Sequence, residues 1–305
     1  MASDESTVHA APAPRRLTLA SRAAAAQARV RPLLPALRLV GFGAAVAIVG
    51  WMGFRAAREV HPRDLAWWPL PFALAAAATW WLLLARGWAL LLSGRPTRRD
   101  VSVWCRTQAL RFLPGGIWAP ASRVAVVHGT PFDRVATVAA ENLGAVCAAL
   151  AVGGLALGAS GRPLWLGVAA AVAVPVVAAT VVRGRTRVAP ARAARATVNY
   201  VLAFLAYAAA SVLVQLAVSG HVDPLSVAGA ASVAWAAGLV VVIAPSGIGV
   251  REVVYVDLLH GTLPFAALAG AAVTMRLTMI VAELAVLVIA GRPPAEPRRP
   301  VPPGE

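Results

Sequence analysis

The chain has 305 residues, of which 59% are hydrophobic and only 13% charged, a balance that excludes an ordinary water-soluble domain. Its net charge of +15 is carried by arginine without a single lysine. The arginines cluster in short segments flanking apolar runs, which points to membrane topology and away from nucleic-acid binding.

Residues 1–32 mix Ala, Pro, Ser and Arg without an apolar core, so they are expected to form a disordered basic tail on the cytoplasmic side. Arg15 and Arg16 precede a span-sized apolar run and read as a topogenic flank; no cleavable signal peptide is evident. Transmembrane helices are predicted at residues 33–54, 65–85 with an extension to 92, 132–157, 163–182, 198–218, 225–244 and 264–290, each about long enough to cross a ~30 Å hydrocarbon layer. The expected fold is all-α and polytopic, a single transmembrane domain over residues 33–291 with seven or eight transmembrane helices. Residues 292–305 form a disordered Pro-rich tail. Within the spans, small residues recur at close intervals, as at Gly154 and Gly158, and allow backbones to approach where lipid supplies no hydrophobic drive.

Orientation follows from the loops. Arg86, Arg95, Arg98 and Arg99 follow the second span, and Arg183, Arg185, Arg187, Arg192 and Arg195 precede the fifth. Both loops are therefore assigned to the cytoplasm, with a cytoplasmic N-terminus. That assignment holds only if residues 101–127 enter the membrane and return on the same side. Pro114, Gly115, Gly116 and Pro120 interrupt this stretch, which also carries Arg106, Arg111 and Arg123, so a re-entrant segment is expected in place of a continuous helix. A second break, Pro245-Ser246-Gly247-Ile248-Gly249, leads into Arg251 and Glu252 and leaves open whether residues 245–262 cross or return.

A broken helix at membrane depth must face protein or a wet cavity, because lipid satisfies no free backbone N–H or C=O group. Paired Gly/Pro-interrupted segments mark binding sites in transporters. Here a half-helix starting after Gly249 is expected to offer its N-terminal N–H groups, with Arg251 adding a full charge, to an anion such as a lipid phosphate. Ionisable residues inside spans cost at least about 2.5–3.5 kcal/mol at the bilayer centre, and Glu141, Arg276 and Glu283 occupy such positions. Arg276 and Glu283, seven residues apart, share a helix face but are too distant for an i,i+4 pair. The candidate substrate-binding set is Arg111, Gly115, Gly116, Arg123, Glu141, Gly247, Gly249, Arg251, Glu252 and Arg276.

Cys105 and Cys147 lack CxxC spacing, and five scattered histidines form no HExxH pattern, so neither a metal nor another cofactor is expected. No Walker or GxGxxG pattern is present to drive transport with a nucleotide or hold a dinucleotide.

The stretch Pro245-Ser-Gly-Ile-Gly-Val-Arg-Glu252, followed by an apolar helix and Met275-Arg276-Leu277, resembles the C-terminal signature of the lysylphosphatidylglycerol synthase/flippase transmembrane family. The stretch Leu113-Pro-Gly-Gly-Ile-Trp118 with Arg123 and Glu141 resembles that family's first signature. Ser246 replaces a usual Gly, and Trp118-Ala119-Pro120 replaces a Gly-Glu-like continuation. The resemblance spans most of residues 33–291 and implies a stand-alone membrane domain that moves lipids between leaflets, without the aminoacyl-transferase domain and hence no enzyme. The partner it implies is an anionic phospholipid or a polyprenyl-linked lipid of the cell membrane. The alternative expectation is a non-transporting partner that docks on an envelope glycosyltransferase or lipid-modifying enzyme through its basic loops.

Overall fold

A computed structural model describes residues 34–61, 63, 65–112, 118–127, 130–172, 190–241 and 245–290. The expected terminal tails and the glycines Gly115 and Gly116 lie outside the described residues, as do most of the arginines before the fifth predicted span. All regular structure among the described residues is helical. The helices are α1 (Leu34–Glu59), α2 (Pro69–Ser93), α3 (Arg98–Gln108), α4 (Trp118–Val126), α5 (Pro131–Ala159), α6 (Pro190–Ser219), α7 (Pro224–Val240), α8 (Val250–Leu258) and α9 (Phe265–Ala290). A further helical stretch occupies residues 164–172, and 3-10 turns cover Ala109–Phe112 and Pro245–Gly247.

Helix starts follow local chemistry. Thr130 caps α5 by accepting from the Asp133 N–H, and the Asp133 carboxylate accepts the Thr130 N–H in return, with Pro131 in the first turn. Asp223 caps α7 by accepting from the N–H groups of Leu225 and Ser226. The Ser226 side chain and these N–H groups hold the Asp223 carboxyl below its ordinary range. Helix α6 begins eight residues before the predicted position 198, because Pro190 needs no N–H partner in a first turn. Arg192 and Arg195 consequently lie on its opening turns, and the Arg192 side chain packs over Gly94, where α2 ends in a left-handed residue.

Helices α2, α5, α6 and α9 are long and apolar enough to cross a membrane, and α7 is apolar over 17 residues. The distribution of polarity is inverted relative to a water-soluble protein. Phe132, Leu164 and Ile289 are among the most exposed side chains, whereas Arg123, Glu141, Gln215, Glu252 and Glu283 are buried. Such an exterior suits hydrocarbon as its solvent, and the chain reads as an integral membrane protein.

Backbone proximity holds the bundle together. A Cβ on Gly229 of α7 would lie 3.0 Å from the Gly153 carbonyl oxygen of α5, so the two helices touch where each lacks a side chain. Gly154 and Gly158 instead receive residues 164–172, with the Trp165 carbonyl 2.7 Å from where a Gly154 Cβ would stand. The largest buried side chains, Trp80, Trp81, Trp88, Tyr200 and Phe204, come from α2 and α6, the most extensively packed pair.

Helices α3, α4 and α8 have 11, nine and nine residues. At 1.5 Å per residue each reaches about 14–17 Å, roughly half the hydrocarbon thickness. They flank the two breaks, and their ends bring the charged residues together.

Candidate functional site

The second interruption meets the turn that precedes the first. The turn Pro245–Gly247 packs against the turn Ala109–Phe112, and the Ser246 hydroxyl donates to the Arg111 carbonyl at 3.3 Å. Reversal at the second break uses left-handed backbone at Ser246, with φ 55°, followed by Gly247 at 65° and Gly249 at 83°. Gly247 is further constrained by space. A Cβ there would stand 2.5 Å from the carbonyl oxygen and 2.7 Å from the Cα of Gly238 on α7. Replacement by Ala is therefore expected to cost about 1–3 kcal/mol from backbone strain alone, read as a lower thermal midpoint in detergent; an unchanged midpoint would contradict this packing.

Four arginines converge around these turns, three of them paired. Arg111, in the first turn, pairs with Glu283 of α9 and stacks over Trp81 at 4.5 Å. Arg123 of α4 pairs with Glu141 of α5 and lies over Trp104, whose indole N–H donates to the same Glu141 oxygen at 2.7 Å. Gln108 accepts a second Arg123 N–H. Arg276 of α9 donates through Nε to Glu252 of α8 at 2.9 Å. Arg276 and Glu283, on one face of α9, thus each find a partner on another element, as their separation requires.

The fourth, Arg251, forms no hydrogen bond or ion pair among the described residues. Its guanidinium lies 5.3 Å from the Trp235 ring centroid. Gly238 makes room for it, since a Cβ there would come within 2.6 Å of Arg251 Nε. A partly buried charge without a counter-ion is costly, and Trp235 supplies only a weaker cation–π contact.

Two chambers adjoin this arginine. The first, of about 90 Å³, is lined by Trp81, Tyr207, Glu252, Tyr255, Met275 and Arg276, among others. The second, of about 150 Å³, is lined by Trp104, Gln108, Arg123, Glu141, Tyr200 and Trp235, among others. Trp80, Arg111, Ser246 and Arg251 belong to both walls. They form the partition between the chambers.

Of the candidate set, Arg111, Arg123, Glu141, Arg251, Glu252 and Arg276 come together at the chambers, and Gly247 lines the second. Gly115 and Gly116 lie outside the described residues. Gly249 plays a different part from the one expected. Its N–H donates to Glu252 Oε2 at 2.7 Å, so a carboxylate of the same helix already takes the first free donor of α8. The anion-ready group at this end is the Arg251 side chain.

Glu283 belongs to the cluster through Arg111, and Trp80, Trp81, Trp104, Trp235 and Tyr207 complete its walls. Helix α8 is anchored by Tyr255, whose hydroxyl donates to Gln215 of α6 at 2.7 Å in a buried site. Among the described residues no three His, Cys, Asp or Glu side chains gather in a way that could hold a metal. No protein-family model matches the sequence, and comparison with curated proteins likewise finds no match.

Proposed function

We propose that the protein is a lipid translocase that receives the headgroup of an anionic phospholipid or lipid-linked substrate between its broken helices while the acyl or prenyl chains remain in the bilayer. The observation that carries this reading is Arg251, a guanidinium without a carboxylate partner among the described residues, in the partition between two chambers. A phosphate oxygen pair matches a guanidinium geometrically, and the neighbouring arginines, each engaged elsewhere, raise the local positive potential without competing for structural roles.

The chain resides in the cell membrane with its N-terminus in the cytoplasm and makes seven or eight crossings. In this reading residues 101–127 enter the membrane and return on the same side, and the short helices α3, α4 and α8 bring the charged residues to the site. The signatures at residues 113–118 and 245–252 place it by resemblance with the lysylphosphatidylglycerol synthase/flippase transmembrane domains. It acts as a transporter, with no covalent step assigned to any residue.

Reconstitution tests this. The purified protein in proteoliposomes is expected to accelerate exchange of a fluorescent anionic phospholipid between leaflets over protein-free vesicles. Exchange at the protein-free rate for both phospholipid and prenyl-linked probes would overturn the reading.

A further inference from the structure

The first chamber is rich in hydrogen-bond donors. Arg251 has no hydrogen-bond partner among the described residues, and neither has the Tyr207 hydroxyl beside it. Trp80 Nε1 and Arg276 Nη2 are buried without an acceptor. All of these are able to donate. Glu252, the one carboxylate among the lining residues, has both oxygens engaged, Oε1 by Arg276 and Oε2 by the Gly249 N–H. Among the described residues the chamber's unengaged nitrogens are donors only, while its hydroxyls, Tyr207 included, both donate and accept.

The charge count is equally specific. Among the described residues Arg111, Arg123, Arg251 and Arg276 face Glu141, Glu252 and Glu283, which leaves one positive charge at Arg251. Resting on the lipid-headgroup reading of this site, we infer that it selects a headgroup with one negative charge and no cationic group, a phosphodiester joined to an uncharged alcohol. Such a group neutralises the cluster. A diphosphate brings more negative charge than the single free guanidinium offsets, and an excess buried charge is disfavoured at low dielectric. A headgroup that pairs its phosphate with an ammonium has no net charge and leaves the positive charge at Arg251 unneutralised. Two carboxylate oxygens of the cluster lack a donor among the described residues, Oε2 of Glu141 in the second chamber and Oε1 of Glu283, and both carboxylates are already neutralised, by Arg123 and Arg111.

The test is competition for binding to the full-length protein in detergent, with a fluorescent short-chain phosphatidylglycerol as tracer. The competitors are dihexanoyl phosphatidylglycerol, dihexanoyl phosphatidylethanolamine, farnesyl diphosphate and tail-free glycerophosphoglycerol. Phosphatidylglycerol is expected to displace the tracer at a concentration about 10-fold or more below that of phosphatidylethanolamine or farnesyl diphosphate. In R251Q with an unaltered thermal midpoint direct binding of the tracer should weaken by about 10-fold or more, and Tyr207→Phe should weaken phosphatidylglycerol alone by about 3-fold or more. If phosphatidylethanolamine or farnesyl diphosphate competes as well or better and still depends on Arg251, the charge selection is wrong and the lipid-anion reading stands. If glycerophosphoglycerol equals phosphatidylglycerol, the phosphodiester comes from water, and the lipid part is overturned. Displacement indifferent to R251Q for all four competitors would overturn both.

Discussion

Arg251→Gln is expected to slow leaflet exchange of a labelled anionic lipid in proteoliposomes by about 10-fold or more while the protein still folds and inserts. The two halves of this expectation come from the same fact. Arg251 pairs with no carboxylate among the described residues, and its neighbours are the Trp235 ring and the Gly238 backbone, so neutralising it leaves no buried carboxylate without its counter-ion. Arg276 offers the contrast. Removing that guanidinium strands Glu252, which is 4% exposed and accepts from Arg276 at 2.9 Å, so Arg276→Ala should lose stability along with transport. Wild-type exchange rates in the Arg251→Gln protein would remove this residue from the mechanism.

The largest loss of stability should come from Glu141→Leu. One oxygen of Glu141 accepts from both Arg123 and the Trp104 indole, and all three residues are buried. Deleting the carboxylate leaves Arg123 charged inside the bundle and Trp104 without an acceptor, a change that costs about 3–5 kcal/mol when one partner of a buried ion pair is lost. Adding Arg123→Met should restore most of the thermal midpoint, since an apolar pair of similar volume removes the stranded charge. A midpoint for Glu141→Leu equal to that of the unmodified chain would show that the pair is solvated. A double variant no better than the single would show that Arg123 is held by other contacts.

Much of the frame was legible in the residues. Proline and glycine at 245–249 forecast an interruption, and φ values of 55°, 65° and 83° at Ser246, Gly247 and Gly249 give it its form. Intramembrane ionisable residues stood out against apolar neighbours because their burial is costly. Helix positions followed from the apolar runs to within a few residues at most ends. The exception, the early start of α6 at Pro190, lay in an Arg-rich stretch whose charge argued for a loop, yet the proline fits a first helical turn.

Pairing was not legible. Arg251 and Arg276 are both arginines near the second break, and only the fold distinguishes the one that meets Glu252 from the one that meets an indole face. Sequence distance carries no such information, as Arg111 and Glu283 are 172 residues apart. The cap on α8 was readable in principle, because Glu252 stands three residues after Gly249, the spacing at which a carboxylate reaches back to the helix start. Glu252 takes the Gly249 N–H alone, and the first-turn N–H groups that follow it are not engaged by that carboxylate. The aromatic walls were hidden for a different reason. A tryptophan inside an apolar segment satisfies hydropathy whether it faces lipid or a chamber, so Trp80 and Trp235 gained meaning only from their neighbours.

The central claim is that Arg251 holds a lipid anion in the partition between the chambers. Native mass spectrometry of the protein released from detergent tests it most directly, comparing the unmodified chain with Arg251→Gln prepared identically. The account predicts a tightly retained anionic lipid on the unmodified chain and its loss from the variant. Equal retention of that lipid by both proteins, or retention of uncharged lipids alone, would contradict it.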